Sequence, residues 1–175
     1  MKKLVLVTIV AVLMAPAILS AQTATGTLTV NATVNSSINL VFNNDAAGVA
    51  LSAGAGTNTA TLNFGNVSAF GAIAAGITRS TTATTFTVST PVDVLVTKAN
   101  SASANYTLKA QLGAADAVNT WQVGGTTVTN AAQATITATG TYGANVAEAI
   151  ALTIPFTTAN ATAISNTINF TATAN

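Results

Sequence analysis

The stretch that decides the fold is Gly26-Thr-Leu-Thr-Val-Asn-Ala-Thr-Val-Asn-Ser-Ser-Ile-Asn-Leu-Val-Phe42. Its even positions are Gly26, Leu28, Val30, Ala32, Val34, Ser36, Ile38, Leu40 and Phe42, nearly all small or apolar. Its odd positions are Thr, Asn or Ser until Val41. Period-two alternation puts one set of side chains on a buried face and the other on a solvated face, as a β-strand requires. At about 3.3 Å per residue the run would exceed roughly 50 Å, and ordinary strands have about five or six residues. It therefore divides into two strands, about 25–34 and 36–42, with the break near Asn35-Ser36-Ser37.

Downstream the same period recurs. Phe86, Val88, Thr90, Val92, Val94 and Val96 share a face, with Pro91 marking an edge strand or a bulge. Tyr106, Leu108, Ala110 and Leu112 form another strand, and Leu62 and Phe64 a shorter one ahead of Gly65. Trp121 and Val123 lead into Gly124-Gly125, a two-residue turn signal, with Val128 on the return. Ile136, Ala138 and Tyr142 follow, then Ile150 to Phe156, and Ile164, Ile168, Phe170 and Ala172 close the chain. No window after residue 21 carries a capped 3.6-residue stripe. Eight or nine short strands without helices predict an all-β fold, an antiparallel immunoglobulin-like sandwich.

Composition narrows the function. Of 175 residues 37 are Ala, 33 Thr and 17 Asn, while only 5% are charged, against about 25% in ordinary soluble domains. His and Cys are absent, which excludes His- or Cys-based triads, imidazole or thiolate metal sites and disulfides. Five basic residues supply no phosphate-neutralising patch, so nucleic acid is not an expected partner. Disorder is excluded too, because half the residues are hydrophobic.

Residues 1–21 read as a signal peptide. Lys2 and Lys3 precede an apolar run from Leu4 to Met14, Pro16 interrupts it, and Ala21 offers a small residue for cleavage. Residues 22–35 then form an N-terminal extension and residues 36–175 the sandwich domain. After cleavage the charged residues are Arg79, Lys98 and Lys109 against Asp45, Asp93, Asp116 and Glu148, a net charge of −1.

Catalytic candidates are few. None of the four acids lies near another in sequence, so each reads as a solvated carboxylate rather than half of a glycosidase-like pair. Asn43-Asn44-Asp45 reads as a turn, because the alternating ligands and closing Glu of a calcium loop are missing. Trp121 reads as core rather than a sugar platform, and Arg79 as an exposed loop residue. No catalytic, cofactor-binding or metal-ligating residue and no small-molecule substrate is expected.

The extension supports a sharper reading. A sandwich lacking one strand exposes two sheet edges, and a neighbour's strand can close them with main-chain hydrogen bonds while alternate side chains fill pockets. Gly26, Leu28, Val30, Ala32 and Val34 would be those plugs. The contact is head-to-tail, so it propagates. The competing reading folds 25–34 back as the first strand of its own domain.

These residues also carry a family resemblance. Thr23-Ala-Thr-Gly-Thr-Leu-Thr-Val-Asn-Ala-Thr-Val34 resembles the mature start of spore-coat-U-like and chaperone–usher pilin subunits. Leu62-Asn-Phe-Gly-Asn-Val67 is similar to their Phe-Gly step, and Ile164–Ala174 to their closing strand. The resemblance implies an incomplete sandwich polymerised by donor-strand exchange into a secreted filament on the cell surface. Its implied partners are identical subunits, a periplasmic chaperone and an outer-membrane usher. The chain departs from the pattern in lacking a disulfide and in ending Thr171-Ala-Thr-Ala-Asn175, without the usual aromatic. A self-assembling thread fits equally. The alternative function is a monomeric surface module for adhesion or carbohydrate binding.

Overall fold

The structure is a computed structural model that describes residues 25–175; residues 1–21, read above as a signal peptide, lie outside the described residues. The chain divides into two units, one ending at Thr33 and the other running from Val34 to Asn175. In the first, residues 25–33 form no strand, and Leu28 and Val30 are exposed. The strand expected at 25–34 is therefore not formed: alternation gives it a face, but no sheet partner supplies a ladder.

The second unit is an antiparallel β-sandwich with nine strands and no helix among the described residues. One sheet orders β1 (Ser37–Asn43), β3 (Thr85–Ala99), β8 (Asn145–Pro155), β5 (Thr120–Val123) and β6 (Thr126–Val128), with β2 (Thr78–Thr81) also on β3. The other orders β7 (Ala134–Thr141), β4 (Asn105–Leu112) and β9 (Ile168–Ala174). The even residues of β3 from Phe86 to Val96, and Tyr106, Leu108, Ala110 and Leu112 of β4, are buried, as their alternation predicts. The buried side chains form two clusters. Phe86, Leu112, Trp121 and Ile154 mark one pole of the sandwich; Val96 and Tyr106 mark the other.

Turn chemistry follows the sequence at Gly124-Gly125, where φ of 55° and 80° gives the double positive-φ turn that joins β5 to β6. Pro91 does not lie on an edge strand. It sits in β3 between β8 and the pair β1/β2. The physical reason is a gap. β1 pairs β3 only as far as Asp93, and β2 pairs it only from Ser89 to Phe86, so Pro91 faces neither. Main-chain groups of even β3 residues point toward β8, as the Phe156 N–H to Thr84 and Gly143 N–H to Val96 bonds show. The N–H that Pro91 lacks would therefore point into the gap, where no ladder partner waits. The loop after Asp45 crosses there, with the Val49 N–H donating to the buried Thr90 Oγ1 at 2.8 Å.

Leu62 and Phe64 pack half-buried on the core without forming the expected strand. Gly140 of β7 faces Tyr106 so closely that a Cβ there would lie 2.2 Å from the ring. Gly140→Ala should consequently destabilise the sandwich by about 1–3 kcal/mol or more, read as a lower denaturant midpoint at unchanged slope. An unchanged midpoint would show that the Tyr106 ring can move aside.

Candidate functional site

On one flank a seam runs between β1 and β9, the edge strands of the two sheets. Odd β1 residues bond β3, because Phe42 directs its N–H and C=O away from β3, to Thr57 and Gly56. By the same parity Ile38 and Leu40 point their main-chain groups outward along a free edge. In β9 the Asn175 N–H donates to Asn105 of β4, so Ile168, Phe170 and Ala172 point their main-chain groups away from β4. Among the described residues, no strand pairs with either edge.

The side chains of these residues face inward yet are only half-buried, whereas those of β3 and β4 are buried. The contrast has a simple cause. Interior strands have neighbours on both sides, and the seam strands have one. Phe42 and Phe170 meet across the seam edge-to-face, with ring centroids 5.2 Å apart. The seam thus offers unpaired donors and acceptors at Ile38 and Leu40 of β1 and at Ile168, Phe170 and Ala172 of β9 over an apolar floor, while at Phe42 the 54–57 loop closes the β1 edge.

The predicted plugs Gly26, Leu28, Val30, Ala32 and Val34 all lie outside any strand, with Leu28, Val30 and Val34 exposed at 89%, 79% and 74%. Large apolar side chains at such exposure, spaced by two and four residues, lie unpacked against the sandwich. The edges of β1 and β9 carry no distinguishing signal in the sequence, because both strands alternate as buried strands do.

The acids differ from their expected settings. Asp45 and Asp93 come within hydrogen-bonding reach on the outer face of the sheet, and partial burial first, then Asp45, raise the Asp93 carboxyl above its usual range. Asn44 and Asp45 make the expected turn, with Asp45 accepting from the Ala47 N–H at 2.7 Å. Glu148 is no solvated carboxylate but is 6% exposed inside the sandwich. Its Oε1 accepts from Thr137 at 3.3 Å, its Oε2 overlies Gly124, and burial raises its pKa. β8 alternation carries it there: even residues 148, 150, 152 and 154 all face inward, and Glu148 falls on that parity.

Trp121 is core, as expected. It is 7% exposed, and its Nε1–H donates to Asp116 Oδ2 at 2.8 Å. Asp116 also accepts from the Val118 and Asn119 N–H groups, and these bonds outweigh its burial and hold its pKa at about 2. The cleft beside Trp121, about 380 Å³, therefore presents no free aromatic face for a sugar to stack on. Arg79 is not a loop residue. It lies half-buried in β2 and donates to the carbonyls of Ser68 and Gly71 at 2.9 and 2.8 Å.

No protein-family model, no curated protein and no solved structure matches this chain.

Proposed function

We propose that this chain is a secreted structural subunit that polymerises by donor-strand exchange into an extracellular filament. The observation that carries the reading is the seam, where the open edge of β9, the open Ile38–Leu40 part of the β1 edge and half-buried Ile38, Leu40, Phe170 and Ala172 lie on one flank. The exposed alternating face of Gly26–Val34 has the chemistry that such a seam takes. A strand seated between β1 and β9 supplies hydrogen-bond partners to both edges and covers the apolar floor. Strands in a sheet stand about 4.8 Å apart, so seating one opens the Phe42–Phe170 contact and replaces it with contacts to Leu28 and Val30.

Low charge suits such a polymer, because subunits packed at high density repel one another little. A strand lent by a neighbour also contributes the stability that the absent disulfides do not. A periplasmic chaperone and an outer-membrane usher would occupy and load the same seam.

Electron microscopy of the purified mature protein with and without residues 22–34 tests the proposal. The intact chain should form filaments, and the truncated chain should remain monomeric. Identical assemblies from both, or a stable monomer from the intact chain, would overturn it.

A further inference from the structure

We infer that the pole of the sandwich carrying Phe70 and Phe156 is the face on which the next copy of the chain sits, an inference that rests on the strand-exchange reading. Two observations lead there, one of chain geometry and one of surface chemistry.

Geometry comes first. β1 begins at Ser37 opposite Ala99, the end of β3, so the extension leaves the sandwich at the pole of the 100–104 loop. The seam runs from that pole to the start of β9 at Ile168, opposite Leu112. β9 spans seven residues, roughly 20–23 Å, and Gly26–Val34 spans about 27 Å as a strand, enough to run the whole free edge of β9, while on the β1 side it pairs at Ile38 and Leu40 because the 54–57 loop holds Phe42. Only Asn35 and Ser36 separate Val34 from β1, and three Cα steps reach about 11 Å at most. The donor's sandwich must therefore abut the mouth through which its strand enters.

Topology chooses the mouth. Were it the 100–104 pole, each copy would need both its neighbours at that one pole, and only a closed pair could form. An open filament requires the opposite mouth, beside Ile168 and the start of β3. The inserted strand then runs parallel to β1 and antiparallel to β9.

Surface chemistry marks the same pole. Phe70 is 73% exposed and Phe156 40% exposed, with ring centroids 6.0 Å apart, and Phe156 stacks on Phe86 at 6.3 Å. The loop is pinned: Arg79, the sole arginine of the sequence, bonds the main chain on both sides of Phe70, at Ser68 and Gly71. A guanidinium used to hold a solvent-facing Phe in one place fits an interface anchor.

The test uses the mature chain. Phe70→Ser should leave the heat-labile, detergent-resistant ladder of exchanged oligomers intact on gels while slowing elongation from preformed seeds about tenfold. In a second protein, Ala72→Cys combined with Ala102→Cys should cross-link between copies through a short bis-maleimide, because the two loops face each other. A ladder with unchanged elongation in Phe70→Ser, and no cross-link between positions 72 and 102 in the double variant, would overturn the polar docking and leave strand exchange standing. A wild-type chain that gives no ladder, or only a closed dimer, would overturn both.

Discussion

Val30→Asp is expected to abolish filament formation, while Thr29→Asp leaves it intact. The two positions are adjacent, and both are exposed in the described chain, so neither change removes a contact from the sandwich. Thermal unfolding of the two variants, each measured as unassembled chains, should therefore coincide. They differ in which face of the inserted strand they occupy. Val30 shares the even face with Leu28 and Val34, and in a seated strand that face meets the floor formed by Leu40, Phe42 and Phe170. A carboxylate there is buried without a partner, which costs several kcal/mol. About 4 kcal/mol is a factor of roughly a thousand in affinity, enough to empty the filament at ordinary concentrations. Thr29 lies on the solvated face, where a charge costs a few tenths of a kcal/mol at most. Sedimentation of the two variants beside wild type decides the matter. Equal losses from both would contradict the register, and wild-type yields from Val30→Asp would remove the even face from the interface.

The contrast also shows how much was legible in the sequence. Strand faces were, because alternation is a local property: the buried sets of β3, β4 and β8 are read directly from residues 86–96, 106–112 and 150–154. The Gly124-Gly125 hairpin was legible for the same reason. Neighbour relations were not. Pro91 reads as an edge residue because a proline removes a ladder bond, yet it occupies an interior strand where two partners leave a gap. Leu62 and Phe64 have a strand's spacing and no partner to make them one. Segment 25–34 alternates as cleanly as the paired strands do and forms no strand, a difference that period-two patterning cannot register. Arg79 and Glu148 escape a sequence reading for a related reason. Polar residues default to solvent there, and only the packed sandwich shows one holding a loop and the other facing the core.

Glu148 carries a stability effect that depends on pH, although the chain has no histidine, the side chain that ordinarily titrates between about 5 and 8. Its carboxyl is buried beside Thr137 and Gly124, with burial raising its pKa in the folded chain. Tyr106 responds in kind: burial first, then the Glu148 charge, raises its own pKa. Among the described residues no salt bridge compensates Glu148, whose one side-chain hydrogen bond comes from Thr137. An acid whose folded pKa exceeds its unfolded value is favoured in its protonated form by folding. Its contribution is fully present below the unfolded pKa and is lost as pH rises through the folded pKa. Stability should thus decline from mildly acidic toward neutral and alkaline pH. Glu148→Gln keeps the shape and removes the charge. It should leave stability near pH 4 within about 0.5 kcal/mol of wild type, and raise it at pH 8 by roughly 1–3 kcal/mol, the cost of a poorly satisfied buried group. For a domain of this size that is about 2–10 °C in Tm. Thermal unfolding of both proteins between pH 4 and 8 measures the difference. Curves that stay parallel across the range would mean that Glu148 titrates as it does in water, and that the sandwich admits solvent at its centre.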